Sequence, residues 1–153
     1  MALEKMRVAE GANLHADLRD RLRSVRSLAA EIAVFAAELS ERYRKRLGDR
    51  VARLLEGREH MVDRSRLELE IALIADHSDV TEELTRLSSH CGQFAQLLEP
   101  GDPAGRRMDF LLQEMAREVN TIGSKSSEAD VALRVVELKA ELERMREQVQ
   151  NVE

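Results

Sequence analysis

Asp79, Glu83, Arg86 and His90 step by 4, 3 and 4 residues along the chain, with Glu82 on their flank. On a helix that spacing gathers the side chains into one stripe. Two carboxylates, a guanidinium and an imidazole on one face suit either a salt-bridged surface or a site where acids and imidazole converge. A second segment, Gly105–Ser127, carries two adjacent stripes of the same spacing. One is Gln113, Arg117, Asn120 and Ser124; the other is Glu114, Glu118, Thr121 and Lys125. Asn is poor helix filler, and each amide both donates and accepts, so these positions suit a ligand-facing network or a partly buried structural one. Carboxylates, carboxamides and one His are hard donors that suit Mg²⁺ or Mn²⁺ rather than Zn²⁺.

Other chemistries are excluded. No Glu has a His three residues later, so the paired Glu-x-x-His motifs of di-metal bundles are missing. No nucleophile elbow, P-loop or dinucleotide fingerprint is present. Cys91 is the only thiol and falls on an apolar seam, which makes it a small core residue. His15, His60 and His77 sit among charged neighbours and are expected to face solvent.

The elements that must position these stripes are helices. The 153 residues are 43% hydrophobic but only 3% aromatic, 35% charged, and hold 7 Gly and 2 Pro. That composition disfavours sandwiches, barrels and doubly wound sheets and favours long helices with aliphatic seams. Apolar residues recur with alternating 4 and 3 spacing in Leu18–Tyr43, Leu67–Ile74, Val80–Leu98, Met108–Ile122 and Val131–Val152. Gly48 and Gly57 are expected to weaken or end the first helix. Asp63 is expected to cap the next, Asp79 to restart one, and Ser127 to cap the last. Glu99–Gly105 is a loop and Gly123–Ser127 a second interruption.

The fold class is therefore all-α, with long antiparallel helices and coiled-coil-like seams in a bundle that oligomerises. It forms a single helical domain over 1–153, with a long projecting region at 1–58 and a core at 63–153. An unbroken helix from Leu14 to Leu47 would be about 50 Å long, too long for a small domain and suited to another subunit. Net charge is −5, yet residues 17–58 hold 11 Lys and Arg against 7 Asp and Glu. Arg42, Arg44, Lys45, Arg46, Arg50 and Arg53 form a basic patch able to meet phosphates. With no apolar leader and no run of about 18 apolar residues, a cytoplasmic, non-membrane protein is expected.

Three segments make the chain identifiable: DRSRLELEIALIADHSDVTEELTRLSSHCGQF (Asp63–Phe94), GRRMDFLLQEMAREVNTIGSKSS (Gly105–Ser127) and ELERMREQVQNVE (Glu141–Glu153). They closely resemble the carboxy-terminal half of the YicC family of bacterial endoribonucleases. The likeness extends through Met6-Arg-x-x-Glu10-Gly11 and Tyr43-Arg44-x-Arg46-Leu47. The family's usual chain is longer and opens with a separate amino-terminal region near a Ser-Met-Thr-Gly-Phe motif, which this sequence lacks.

The resemblance implies a cytoplasmic, metal-dependent endoribonuclease, using Mn²⁺ or Mg²⁺, that assembles as a homo-oligomer, a hexamer, and takes in RNA. The resemblance carries over Asp79, Glu82, Glu83, Arg86, His90, Asp109, Gln113, Glu114, Arg117, Glu118, Asn120 and Lys125; the two stripes then point to Asp79, Glu82, Glu83, Asp109, Glu114 and Glu118 as metal candidates and to His90, Glu114 and Glu118 as catalytic ones. Arg86, Arg106, Arg107, Gln113, Arg117, Asn120 and Lys125 become RNA-binding candidates, joined by Arg44 and Arg46 of the basic patch. Two other readings stand beside it. One is a non-catalytic RNA-binding adaptor for a partner ribonuclease; the other is a structural oligomerisation module.

Overall fold

A 53-residue helix, α1 (Ala2–Leu54), spans the computed structural model, which describes residues 2–99 and 105–151, with side chains from residue 11 onward. At ~1.5 Å per residue α1 is about 80 Å long. Its middle turns alternate Leu and Ala with Arg and Glu, all good helix formers. Gly48 does not end it. No neighbouring atom lies where a Gly48 side chain would begin, and one interior glycine costs only about 1 kcal/mol.

The break comes instead at Gly57, whose φ of +76° is left-handed backbone that side chains resist. A short 3₁₀ turn (Glu59–Met61) follows, then α2 (Arg64–Asp76). Asp63 caps α2 as expected, its carboxylate accepting from the Ser65 and Arg66 N–H groups at 3.0 and 3.3 Å. Asp63→Ala should cost about 1 kcal/mol and raise amide exchange throughout α2, with little change in the bundle. Exchange in α2 that matches wild type would show the cap to be dispensable.

α3 (Thr81–Leu97), α4 (Gly105–Lys125) and α5 (Ala129–Gln150) complete the chain. Asp79 opens α3 through its carboxylate, which accepts from the Thr81 N–H at 2.9 Å and its hydroxyl at 2.5 Å. Ser127 does not cap α5. Glu128 stands at that position and makes no side-chain cap bond; the following Asp130 supplies negative charge to the first turn instead. The interruption expected at Gly123 also falls later, because α4 continues to Lys125. A Cβ on Gly123 would lie 3.1 Å from Val135 Cγ1, so the glycine lets α4 and α5 approach closely. The loop at 99–105 and Val152 lie largely or wholly outside the described residues.

The bundle is all-α, and its helices alternate in direction. Arg26 reaches the Cys91 carbonyl and Arg19 the Leu98 carbonyl, which sets α3 antiparallel to α1. Arg21 meets Glu141 and Arg134 meets Glu31, which sets α5 antiparallel to α1 on its other side. Arg134 also stacks over Phe35, 4.9 Å from the ring centroid. α4 closes the ring between α3 and α5.

One core runs through α1, α3, α4 and α5. It holds Leu18, Leu22, Val25 and Ile32 of α1 and Leu87, Cys91 and Phe94 of α3. From α4 and α5 come Met115, Val119, Ile122, Leu138, Met145 and Val149. Burial pushes the Cys91 thiol up to about 11, so it stays protonated at neutral pH. The region 1–58 read as projecting therefore divides. Residues 18–32 are core, whereas 40–54 contribute no fully buried side chain and carry α2 along them as an arm.

Candidate functional site

The stripe on α3 and one of the two stripes on α4 face each other. Antiparallel packing puts the start of α3 against the end of α4. Lys125 Nζ lies 2.6 Å from Glu83 Oε1 and donates to the Asp79 carbonyl at 3.2 Å. One turn along, Arg86 pairs with Glu82 on its own helix and approaches Glu118 across the interface at 3.8 Å. His90, a further turn along α3, comes level with the Glu114–Glu118 turn of α4. Its ring is half-buried, and Nδ1 is buried without a hydrogen-bond partner.

Among the described residues Glu83 and Glu118 are the two buried acids, at 5% and 8% exposure. Glu83 Oε2 has no partner. Such burial is costly for a carboxylate unless a cation answers it, and here Lys125 and Arg86 supply the charge. Asp79 is held below the ordinary carboxylate range, first by the Thr81 hydroxyl, then by the Thr81 N–H, with Lys125 adding a smaller effect.

The other α4 stripe takes a different face. Gln113, Arg117 and Asn120 line a groove of about 510 Å³ between α4 and α5, opposite Lys139, Glu143 and Arg146. Arg117 pairs with Glu114 at 2.7 Å. Asp109 is held by Gln113 at 2.7 Å and by Arg146 at 3.3 Å. Arg106 and Arg107 stand exposed in the first turn of α4. Arg44 and Arg46 lie on the arm, with Arg46 3.7 Å from Glu128. Candidate residues thus fall in three places: the α3–α4 face, the α4–α5 groove and the arm.

Three features had no assignment from spacing. Arg146, Lys139 and Glu143 join the groove because α5 packs beside α4, which no periodicity within one helix reveals. His15, expected in solvent, is half-buried, its Nδ1 3.1 Å from the Leu98 carbonyl at the end of α3. Arg19 meets the same carbonyl at 3.2 Å. A helix C-terminus leaves such acceptors unsatisfied, and here α1 satisfies one of them. His60 and His77 are exposed, as expected.

Among the described residues no group of three or more His, Cys, Asp or Glu is placed to hold a metal ion. The six acids named as metal candidates are engaged one by one, with Lys125, Arg86, Arg117, Gln113, Arg146 or Thr81. The described residues by themselves offer no closed cage. They do offer Glu114 and Glu118, neighbours on one helix face, and Mg²⁺-type sites commonly use one or two carboxylates completed by water and substrate phosphate.

No helix of the described residues is long and apolar enough to cross a membrane. Residues 32–153 match the family model described as Endoribonuclease YicC-like, C-terminal. A protein of Clostridioides difficile named "Probable endoribonuclease YicC" is 43% identical over 151 residues, which is 99% of this chain and 51% of the relative. One of Haemophilus influenzae with the same name is 38% identical over 148 residues, 97% of this chain and 50% of the relative. The chain spans about half the length of these curated relatives.

Proposed function

As the chain belongs to the family of YicC-like endoribonuclease C-terminal domains, we propose that it is the helical half of a metal-dependent endoribonuclease that cuts single-stranded or structured RNA in bacterial RNA turnover. The observation that carries this reading is the likeness to two proteins so named, over nearly the whole chain. The α3–α4 face supports it. A purely structural bundle has no need of two buried acids, two cations and an imidazole along one seam.

Cleaving a phosphodiester requires charge against the phosphate and proton transfer at the attacking and leaving oxygens. Arg86 and Arg117 are the groups that can clamp phosphate oxygens bidentately. His90 is the proton carrier, as the imidazole on this face. Glu114 and Glu118 orient the reacting oxygen and are the carboxylates that would hold Mn²⁺ or Mg²⁺. When bound, the cation supplies positive charge at the scissile phosphate. The cation and the ring-shaped homo-oligomer, a hexamer working in the cytoplasm, belong to the same proposal.

The arm guides RNA to this face. Arg44, Lys45, Arg50 and Arg53 are exposed there, and none makes an ion pair among the described residues. Their contact with phosphates would release counterions, so affinity should fall steeply with salt. Replacing Arg44, Lys45 and Arg50 together by Gln should flatten that slope by about two to three. An unchanged slope in filter binding would place the RNA elsewhere.

One observation favours a second reading, the adaptor that delivers RNA to a partner ribonuclease. Every acid of the α3–α4 face already has a partner within the chain. Incubating the chain with end-labelled structured RNA, with Mn²⁺ or with chelator, separates the two. Discrete Mn²⁺-dependent products on a denaturing gel support the enzyme. Bound but intact RNA supports the adaptor.

A further inference from the structure

The chain has three Phe, and only one is uncovered. Phe94 is fully buried and Phe35 lies beneath Arg134, but Phe110 is 59% exposed. It stands in a recess of about 390 Å³ where the end of α3 meets the start of α4. Gln93, Gln96 and Leu97 line the α3 side; Arg106, Arg107 and Leu111 line the α4 side. Among the described residues that line it, the recess thus has a partly apolar floor, an aromatic face, two guanidinium groups and two amides.

We infer that this recess is a stacking subsite for an unpaired nucleobase of RNA, an inference that rests on the RNA reading above and extends it to a place outside the α3–α4 acids. The chemistry of the recess matches each part of a nucleotide. Phe110 offers a ring face for a base, and stacking is tolerant of base identity because every base has one. Arg106 offers bidentate donors to a flanking phosphate, and Arg107 adds positive charge beside it. Gln93 and Gln96 can both donate to and accept from a base edge. A protein partner is less well matched. Covering the exposed Arg106 beside Phe110 with apolar surface would take that charge out of water. A base-paired helix is also poorly matched, since its bases are stacked on one another and unavailable to Phe110.

The test measures binding of a single-stranded oligoadenylate and of a blunt RNA duplex of equal length, by wild type, Phe110→Ala and Phe110→Trp. Phe110→Ala should weaken single-strand binding about 5- to 100-fold, the usual range for one lost stack, and leave duplex binding unchanged. Phe110→Trp should retain single-strand affinity. Since the chain has no Trp, its indole would be the sole such reporter, and its fluorescence should fall on binding the single strand.

Unaltered single-strand affinity in Phe110→Ala, with wild type binding normally, would overturn the subsite while leaving the RNA reading intact. Equal losses for single strand and duplex would also overturn it. A change of sedimentation coefficient in Phe110→Ala would assign the ring to contact between copies of the chain. A wild-type chain that binds neither RNA would overturn both readings.

Discussion

Glu114→Gln is expected to abolish RNA cleavage while leaving the helical bundle as stable as wild type. The substitution keeps the shape of the side chain and an oxygen that can still accept from Arg117, now 2.7 Å away. Arg117 is 73% exposed, so the ion pair itself contributes little, about 0–1 kcal/mol. Thermal unfolding should therefore move by a few degrees at most. What changes is charge at the place where the proposed reaction needs it. Losing a charged group that binds cation or assists proton transfer typically costs about 10²- to 10⁴-fold in rate. Denaturing gels with Mn²⁺, paired with melting curves, give both readouts. Wild-type rates in this variant would remove Glu114 from the chemistry; a collapsed melting curve would make it structural.

The choice of Glu114 shows which kind of information the sequence contains. Periodicity put Glu114, Glu118, Thr121 and Lys125 on one face of α4, and Asp79, Glu83, Arg86 and His90 on one face of α3. Both are properties of a single helix, and helical geometry fixes them. The same periodicity marked the buried seams, from Leu18 and Leu22 to Met145 and Val149. That the two stripes would meet each other was not legible. It depends on which helix pairs with which, and spacing within one helix carries no such record.

The misplaced boundaries have local causes. Gly48 looked like a stop because glycine is a poor helix former, but a penalty of about 1 kcal/mol does not break a helix anchored over many turns. Gly123 looked like an interruption for the same reason, whereas the structure uses its missing side chain to admit Val135. Ser127 had the right chemistry for a cap one residue too early. His15 among charged neighbours gave no sign of the Leu98 carbonyl, 83 positions away.

The largest effect on stability is expected at the other end of the α3–α4 face. Lys125→Met keeps most of the apolar stem but removes the ammonium 2.6 Å from Glu83 Oε1. Glu83 is 5% exposed and its second oxygen already has no partner. Removing the cation leaves a buried carboxylate with nothing to answer it, a loss of about 3 kcal/mol or more. The Lys125 bond to the Asp79 carbonyl, which ties the end of α4 to the start of α3, goes with it. For a chain of this size about 3 kcal/mol corresponds to a fall in Tm of roughly 6–12 °C.

The double variant Glu83→Leu/Lys125→Met separates the causes. Replacing a buried pair by apolar side chains is often close to neutral, so much of the stability should return. Urea denaturation of wild type, both single variants and the double variant closes the cycle. A double variant as unstable as Lys125→Met alone would locate the loss in packing or in the Asp79 contact. A Lys125→Met protein within about 0.5 kcal/mol of wild type would show that water already answers the Glu83 charge. Recovery in the double variant, with cleavage still missing, would show that this pair is kept for RNA rather than for the fold.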